Sequence, residues 1–424
     1  MASLRIGPVG VEDSWRPADL ATLPRIAPDR GSTLVAALDE VLSVLSEEGD
    51  RLITAFDLPP AFVEAMGAAG FPVDPVPSAE SGPDVLGRTL AHADTLRPEV
   101  AGMTLEPYAA RPEYESIASA LDLAYDAPTT ACATLVNSKT WSNEVVRGYG
   151  WHGAAARVTS IVELERSVSA TRSAVLLKDP YGVSGQGTLA IRSETAYRSV
   201  ARHLERQVER GMRLELLVQP LFEKHQDIST HWHISPDGSI LAMGCLENDV
   251  DGFRYRGSAA LDPATLRRAD FEHLESAGTT VCEELFKAGY FGPVDIDGLI
   301  TSDGAVVPCL EVNARVSMGT IALALMRHAA QRNLHATLEF INVRADAEAP
   351  DLASFLSELA EAGVLYTGDR PGVLPITANT FRRGERGRLI TGSFHPPGDA
   401  GGVLREALGI ASSCGIHPED SRYS

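Results

Sequence analysis

The sequence predicts an α/β protein made of several packed units. Helix-period and strand-period apolar runs alternate through the first third of the chain. Two strand-like runs, 294–301 and Val306–Asn313, flank the turn signal Ser302-Asp303-Gly304-Ala305, as in a β-hairpin. The chain's 424 residues exceed what one core holds and suggest two to four units.

The elements follow in chain order. Residues 1–30, rich in Pro and Arg with weak periodicity, read as an irregular lead-in. Over 33–48, Leu34, Ala37, Leu38, Val41, Leu42 and Leu45 form a helical stripe. A strand over 51–56, a helix over 60–70 and a strand over 71–76 complete a small domain ending near residue 130. Val136-Asn137-Ser138-Lys139 leads into a helix reaching Gly148, with Ser138 or Asn137 as its cap. The apolar strand 174–177 ends at Lys178. It runs into Asp179-Pro180-Tyr181-Gly182-Val183-Ser184-Gly185-Gln186-Gly187 and then the apolar run Thr188–Ile191, which together read as a hairpin flap. A charged helix spans 194–211, a strand 214–219, and His231-Trp232-His233-Ile234 begins a further hairpin that returns over 240–244. A helix covers 270–288. After Arg315, Ser317-Met318-Gly319-Thr320 opens an apolar helix to about 332. A helix over 352–362, strands over 372–378 and 388–394, and a short helix over 401–408 make a C-terminal α/β appendage from about residue 345.

The candidate chemistry starts in the hairpin. Glu311 and Asn313 have period-two spacing on the second strand, so their oxygens leave one face. A two-residue loop at Asp303-Gly304 would pair position 297 with 310 and turn Asp297 away. A three-residue loop, Asp303 to Ala305, would pair 297 with 311 and gather all three oxygens. Such a set, with room for waters and phosphates, suits Mg²⁺; a half-buried hairpin whose polar face meets water would carry the same residues.

Lysine usage adds weight. The chain has 33 arginines and only four lysines: Lys139, Lys178, Lys224 and Lys287. A lysine kept against that bias points to a need for a compact ammonium that the guanidinium fork cannot replace. The loop after Lys178, with Gly182, Gly185 and Gly187, can lay N–H groups against phosphate oxygens. It matches neither the P-loop nor the dinucleotide fingerprint, and an ordinary turn would have the same composition.

In this order the pieces resemble the ATP-grasp superfamily of carboxylate–amine ligases, over about residues 130 to 330. The matching elements are Asn137-Ser138-Lys139, Leu176-Leu177-Lys178 with its glycine flap, Leu216 to Phe222, Asp297, and Glu311-x-Asn313-x-Arg315. The resemblance implies four parts: an N-terminal α/β domain over 1–130, a small lobe with the flap over 131–217, a large lobe with the metal site over 218–345, and the appendage over 346–424. It implies that Lys139 and Lys178 hold ATP phosphates together with Gly185, Gln186 and Gly187. Gln219, Pro220, Leu221 and Phe222 would meet adenine, and Asp227, or failing that Glu223, the ribose. Asp297, Glu311 and Asn313 would hold Mg²⁺, two ions with Mn²⁺ as a substitute. Arg315 would face the acyl-phosphate. The chain departs from the pattern in places: Gln219 stands where many members carry Glu, and Asp295 stands where some carry an Arg that Arg254 or Arg256 could replace. The implied reaction joins a carboxylate to an amine with release of ADP and phosphate. Loading of an amino acid onto a carrier-protein thiol, or a small-molecule kinase, would use the same scaffold.

Several residues keep two readings. His231 and His233 could face substrate or the surface, with a transition-metal site disfavoured for want of a third ligand. Lys224 could approach phosphates or lie in solvent, and Lys287 reads as a surface charge. The Ser317 helix start could hold a substrate carboxylate or serve as a plain cap. A net charge of −20 without a basic cluster argues against nucleic acid and against an anionic membrane surface. No apolar run reaches membrane-span length and no signal peptide opens the chain. The five scattered cysteines read as reduced thiols, so a cytoplasmic protein, with a homodimer open, is expected.

Overall fold

The structure, a computed structural model, describes residues 2–24, 32–77, 80–171, 174–182, 187–261, 271–399 and 401–420. The described residues form three sheets. The first is parallel, with β1 (Ser3–Ile6) between β2 (Arg51–Ile53) and β3 (Thr104–Pro107). The expected irregular lead-in therefore holds a central strand. Leu4 and Ile6 are fully buried against Ile53, Leu105 and Ile117, and four residues are too few for a period to show in the sequence. The expected strand over 71–76 reduces to one bridge, Leu52 with Pro75, because Pro72 and Pro75 cannot donate to a ladder. The stripe over 33–48 becomes an α-turn, Ser32–Ala36, running into a 3₁₀ segment, Ala37–Leu45.

The second sheet is antiparallel, in the order β4 (Ala156–Val158), β7 (Leu216–Pro220), β5 (Val175–Lys178), β6 (Thr188–Ile191). Helices Ile161–Ala170 and Glu194–Val208 pack on it through Leu164, Tyr197, Val200 and Leu204. Each starts on a serine, Ser160 and Ser193, whose side chain accepts a backbone N–H of the first turn.

The third sheet has nine strands. Along it lie β12 (Val306–Asn313), β11 (Gly292–Thr301), β8 (Lys224–Ile234), β9 (Ile240–Asp251), β10 (Arg254–Ala260), β13 (His335–Ala345), β15 (Arg386–His395) and β14 (Gly372–Pro375). A short strand, β16 (Ile416–Pro418), pairs with β13. The strands after residue 345 thus continue the sheet that carries the candidate site rather than building one of their own. Residues 251–257, which held the candidate arginines, form the turn and first half of the β9–β10 hairpin. Helix Met318–Ala330 covers one face through Ile321, Ala322 and Leu325. Helix Phe271–Lys287 covers the other, where a Cβ on Gly278 would lie 2.3 Å from the Trp232 ring. Glycine is what lets that helix approach the strand.

Candidate active site

Asp297 pairs with Glu311 across β11 and β12, as the three-oxygen set requires. The route differs from the expected one. Ile300 pairs with Val306 and Thr301 N–H donates to Ala305 O, so the loop is Ser302-Asp303-Gly304. Continued straight, that register would put Asp297 opposite Cys309. The shift lies between Leu299↔Val307 and Asp297↔Glu311, where β12 runs four residues against two on β11. Pro308 sits in this bulge, where its missing N–H costs nothing. A Cβ on Gly298 would lie 2.7 Å from Val307 O, so glycine admits the bulged strand.

Asn313 pairs with Asp295, and its Nδ2 donates to Asp297 Oδ2 at 2.9 Å. Asp295 therefore joins the same face, a residue that period-two spacing from Asp297 could have flagged. Burial pushes the Asp297 carboxyl well above the usual range, and Asp295 and Glu311 push it further. Carboxylates gathered this way favour a cation among them. Among the described residues no three His, Cys, Asp or Glu side chains form a metal site by themselves. Asp297 and Glu311 would need Asn313 and ligand oxygens, which is how Mg²⁺ is commonly held. Asn313 Oδ1 accepts from Arg315 Nη1 at 2.7 Å, so its amide would have to turn to offer oxygen.

Both lysines converge here. Ser138 caps helix Lys139–Gly148, accepting from Trp141 N–H. Lys139 Nζ, buried at its first turn, lies 2.5 Å from Glu311 Oε1 and also donates to Gly182 O. Lys178, at the end of β5, is buried, with no hydrogen-bond partner among the described residues. Burial lowers its ammonium to about 8, opposed by Glu311 and reinforced by Lys139. Arg315 is buried and held by Asn137 Oδ1 at 3.3 Å as well as by Asn313. Asn137 Oδ1 also accepts Ala314 N–H at 2.9 Å, fixing the end of β12 to the helix start. The cleft is lined by Asn137, Lys139, Glu311, Asn313 and Arg315 with Trp15, Tyr181 and Gly182. Trp15, nearly 300 residues from Glu311 and Arg315, gave no sequence signal.

The remaining candidates divide. Asp227 lies on β8 opposite Leu299, close enough to raise the Asp297 carboxyl further, and its Oδ2 is 2.5 Å from Lys224 Nζ. Gln219 is buried, with Nε2 donating to Gly153 O and Oε1 without a partner among the described residues. Leu221 N–H is already bonded to Ala174 O, and the Phe222 ring sits 5.0 Å from that of His152; Pro220 is exposed. Gly185 and Gln186 lie outside the described residues. Gly187 O accepts Asp179 N–H at 2.7 Å, closing the base of the flap. Arg256 is not brought to the cleft: it is paired with Asp251 and, at 2.9 Å, with Asp420. Arg254 lies exposed near the turn of the same hairpin. His231 is buried, Nε2 2.9 Å from Ser229 Oγ and 3.8 Å from Asp295 Oδ1, and burial lowers its imidazolium. A Cβ on Gly319 would lie 2.1 Å from its Cε1, so His231 supports the start of helix Met318–Ala330 from below. Lys287 is exposed and pairs with Glu284.

No family model matches the chain. Among curated proteins it is similar to a [butirosin acyl-carrier protein]–L-glutamate ligase of Niallia circulans, 25% identical over 243 residues. That match spans 55% of this chain and 56% of the relative, so the chain spans about half the length of the curated relative it matches. Among solved structures it is similar to the biotin carboxylase domain of Hydrogenobacter thermophilus 2-oxoglutarate carboxylase, described with MgADP, ADP and bicarbonate, at TM-score 0.55 and 13% identity over 98% of this chain and 90% of that one. It is similar also to N5-carboxyaminoimidazole synthetase of Staphylococcus aureus with ADP, at TM-score 0.53 and 10% identity over 96% of each chain. Aspergillus clavatus N5-carboxyaminoimidazole synthase, with ADP and the aminoimidazole ribonucleotide, gives TM-score 0.52 and 11% identity over 86% and 98%. Three sheets in this arrangement, the motifs in this order and these likenesses agree: the chain has the ATP-grasp fold.

Proposed function

We propose that the protein is an ATP-dependent ligase that activates a carboxylate as an acyl-phosphate and joins it to an amine, releasing ADP and phosphate. The observation that carries this reading is the convergence of Lys139 and Lys178, from separate elements, on the Asp297, Glu311 and Asn313 face with Arg315 beside it. Lys139 and Lys178 neutralise the transferring phosphoryl group, while Asp297, Glu311 and Asn313 would hold Mg²⁺, two ions, replaceable by Mn²⁺. When bound, the metal would supply charge neutralisation for the phosphates. A substrate carboxylate oxygen attacks the γ-phosphorus and ADP leaves. Arg315 stabilises the charge on the acyl oxygen, and the Ser317 helix start orients the acid. The amine then attacks the carbonyl carbon, phosphate leaves and the amine proton is lost. Gln219 to Phe222 and Asp227 would meet the nucleoside and Gly187 the phosphates; Gly185 and Gln186, expected beside Gly187, lie outside the described residues. The division at residues 130, 217 and 345 belongs to the same proposal, with the last two parts sharing one sheet. We include a homodimer, because the Hydrogenobacter relative is described as one; light scattering at micromolar concentration tests it.

A second reading has a specific support: the curated relative is named for an acyl-carrier protein and L-glutamate. In this second reading the acid is an amino acid and the acceptor a carrier-bound thiol. One experiment separates the readings. The protein is incubated with Mg-ATP and a panel of amino acids, in one set with hydroxylamine and in a second set with a carrier protein and no hydroxylamine until after the mass is read. Hydroxamate formed with ADP supports acyl-phosphate chemistry, and a hydroxylamine-labile mass gain on the carrier selects the thiol. AMP with pyrophosphate rejects both, and a stable phosphorylated product without acceptor points to a kinase.

A further inference from the structure

A segment near the N-terminus reaches from the parallel sheet into the cleft and onto the small lobe. Trp15 Nε1 donates to Ala110 O at 3.3 Å, and its ring lines the cleft beside Lys139 and Glu311. Beyond it the chain bridges to Arg213: Ala21 N–H donates to Arg213 O and Arg213 N–H to Asp19 O, both at 2.8 Å, with an Asp19–Arg213 ion pair at 2.6 Å. Ala21 and Leu23 enter the core of the four-stranded sheet. Between these anchors the Arg16 guanidinium binds Asp179 Oδ1, Leu20 O at 3.0 Å and Ala21 O at 2.7 Å.

Asp179 is the partner that matters. It follows Lys178 directly, and its Oδ1 also accepts Tyr181 N–H at 3.0 Å. The next carbonyl, Pro180 O, accepts Lys139 N–H at 2.8 Å. One dipeptide, Asp179-Pro180, therefore touches both lysines. Asp179 is nearly buried, its side chain 5% exposed, and Arg16 is its one cationic partner among the described residues. An arginine is required by this geometry, because three acceptors in different directions need a planar fork.

We propose that Arg16 is a positioning residue for nucleotide binding: it fixes Asp179-Pro180 and, through that dipeptide, the spacing of Lys139 and Lys178. The inference rests on the ATP-binding reading above. It makes the segment around Trp15 and Arg16 part of the active site, although it lies outside the stretch that carries the ATP-grasp motifs.

The test measures MgADP affinity by calorimetry and unfolding by denaturant without nucleotide, for wild type, Arg16→Lys, Arg16→Met, Asp179→Asn and the double Arg16→Met/Asp179→Asn. Arg16→Met is expected to lower stability, since it leaves a buried carboxylate unpaired, and to weaken MgADP roughly tenfold, as loss of a positioning partner does. The double substitution removes the stranded charge and should recover stability while MgADP affinity stays roughly tenfold down. Arg16→Lys, which keeps the charge, should recover part of the affinity. A double variant that regains both stability and affinity would overturn the proposal, leaving Arg16 a purely structural ion pair. Wild type that binds MgADP no better than Arg16→Met overturns it equally, whereas wild type that binds no nucleotide at all overturns the ligase reading itself.

Discussion

Lys178 is the residue at which composition and structure meet most directly. Its scarcity among 33 arginines marked it, and its burial explains why an ammonium is held there. Lys178→Arg should cost nearly as much ATP turnover as Lys178→Ala, because the guanidinium is too wide for the corner, while Lys287→Arg at an exposed position should change nothing; steady-state kinetics on the three variants decide this. The lowered ammonium also makes a stability prediction. Its value falls from 10.5 in the unfolded chain to about 8 in the folded one, so between those values the unfolded state binds more protons and stability rises with pH. Below 8 the full penalty of the buried charge remains. Lys178→Met should therefore raise the melting temperature of the nucleotide-free protein at pH 7, with the gain fading as pH approaches 10. Glu311→Gln should lose most Mg²⁺-dependent turnover at unchanged fold, because it removes charge and little volume; near-normal activity at limiting Mg²⁺ would place the metal elsewhere. The sequence made Asp297, Glu311 and Asn313 legible through period-two spacing. It could not reveal the bulge at Pro308 that sets their register, since a loop one residue later would give the same pairing.

At the scale of elements, amphipathic helices were legible and short strands were not. Helix Glu194–Val208 and helix Phe271–Lys287 agree with their apolar periods within a few residues. β1 did not show, because a four-residue strand covered on both faces has no alternation to read. The contact between helix Met318–Ala330 and β8 was equally hidden, since it depends on an atom that is missing: Gly319 leaves room for the His231 ring. Gly319→Ala should overpack this contact and destabilise the protein by about 1–3 kcal/mol. Adding His231→Ala should return part of that loss, because the ring is what the new methyl meets. Denaturant unfolding of the two single variants and the double gives the coupling. Additive losses would mean that the helix start moves freely and that His231 does not set its height.

For the whole molecule, the sequence suggested separable units, and the structure ties first to last through a buried carboxylate. Glu40, in the 3₁₀ segment of the N-terminal part, accepts Ala378 N–H at 2.5 Å, Asn379 N–H at 3.0 Å and Asn379 Nδ2 at 2.6 Å, from the segment that follows β14. Nothing in a local pattern announces a contact across more than 300 residues; a glutamate in an apolar helical stripe reads as its polar face. Burial raises the Glu40 carboxyl from 4.5 to about 7, with the Asn379 and Ala378 bonds opposing the rise. Because the folded value lies above the unfolded one, this group's favourable contribution is complete below about 4.5 and is lost as pH climbs through 7. Glu40→Gln keeps an acceptor for the two backbone N–H groups and stays neutral, at the cost of the Asn379 Nδ2 bonds to Glu40 Oε1 and, if the amide turns, to Asp57 O at 3.2 Å, a loss that does not vary with pH. The stability of Glu40→Gln relative to wild type should thus rise between pH 4.5 and 7, by on the order of 2–3 kcal/mol, and level off above. Glu40→Ala should be less stable at every pH, since it strands two buried N–H groups. Urea unfolding at half-unit pH steps measures all three proteins. A Glu40→Gln difference that stays flat from pH 4.5 to 7.5 would show that Glu40 ionises as an ordinary carboxylate, and that water reaches the joint between the first and last parts of the chain.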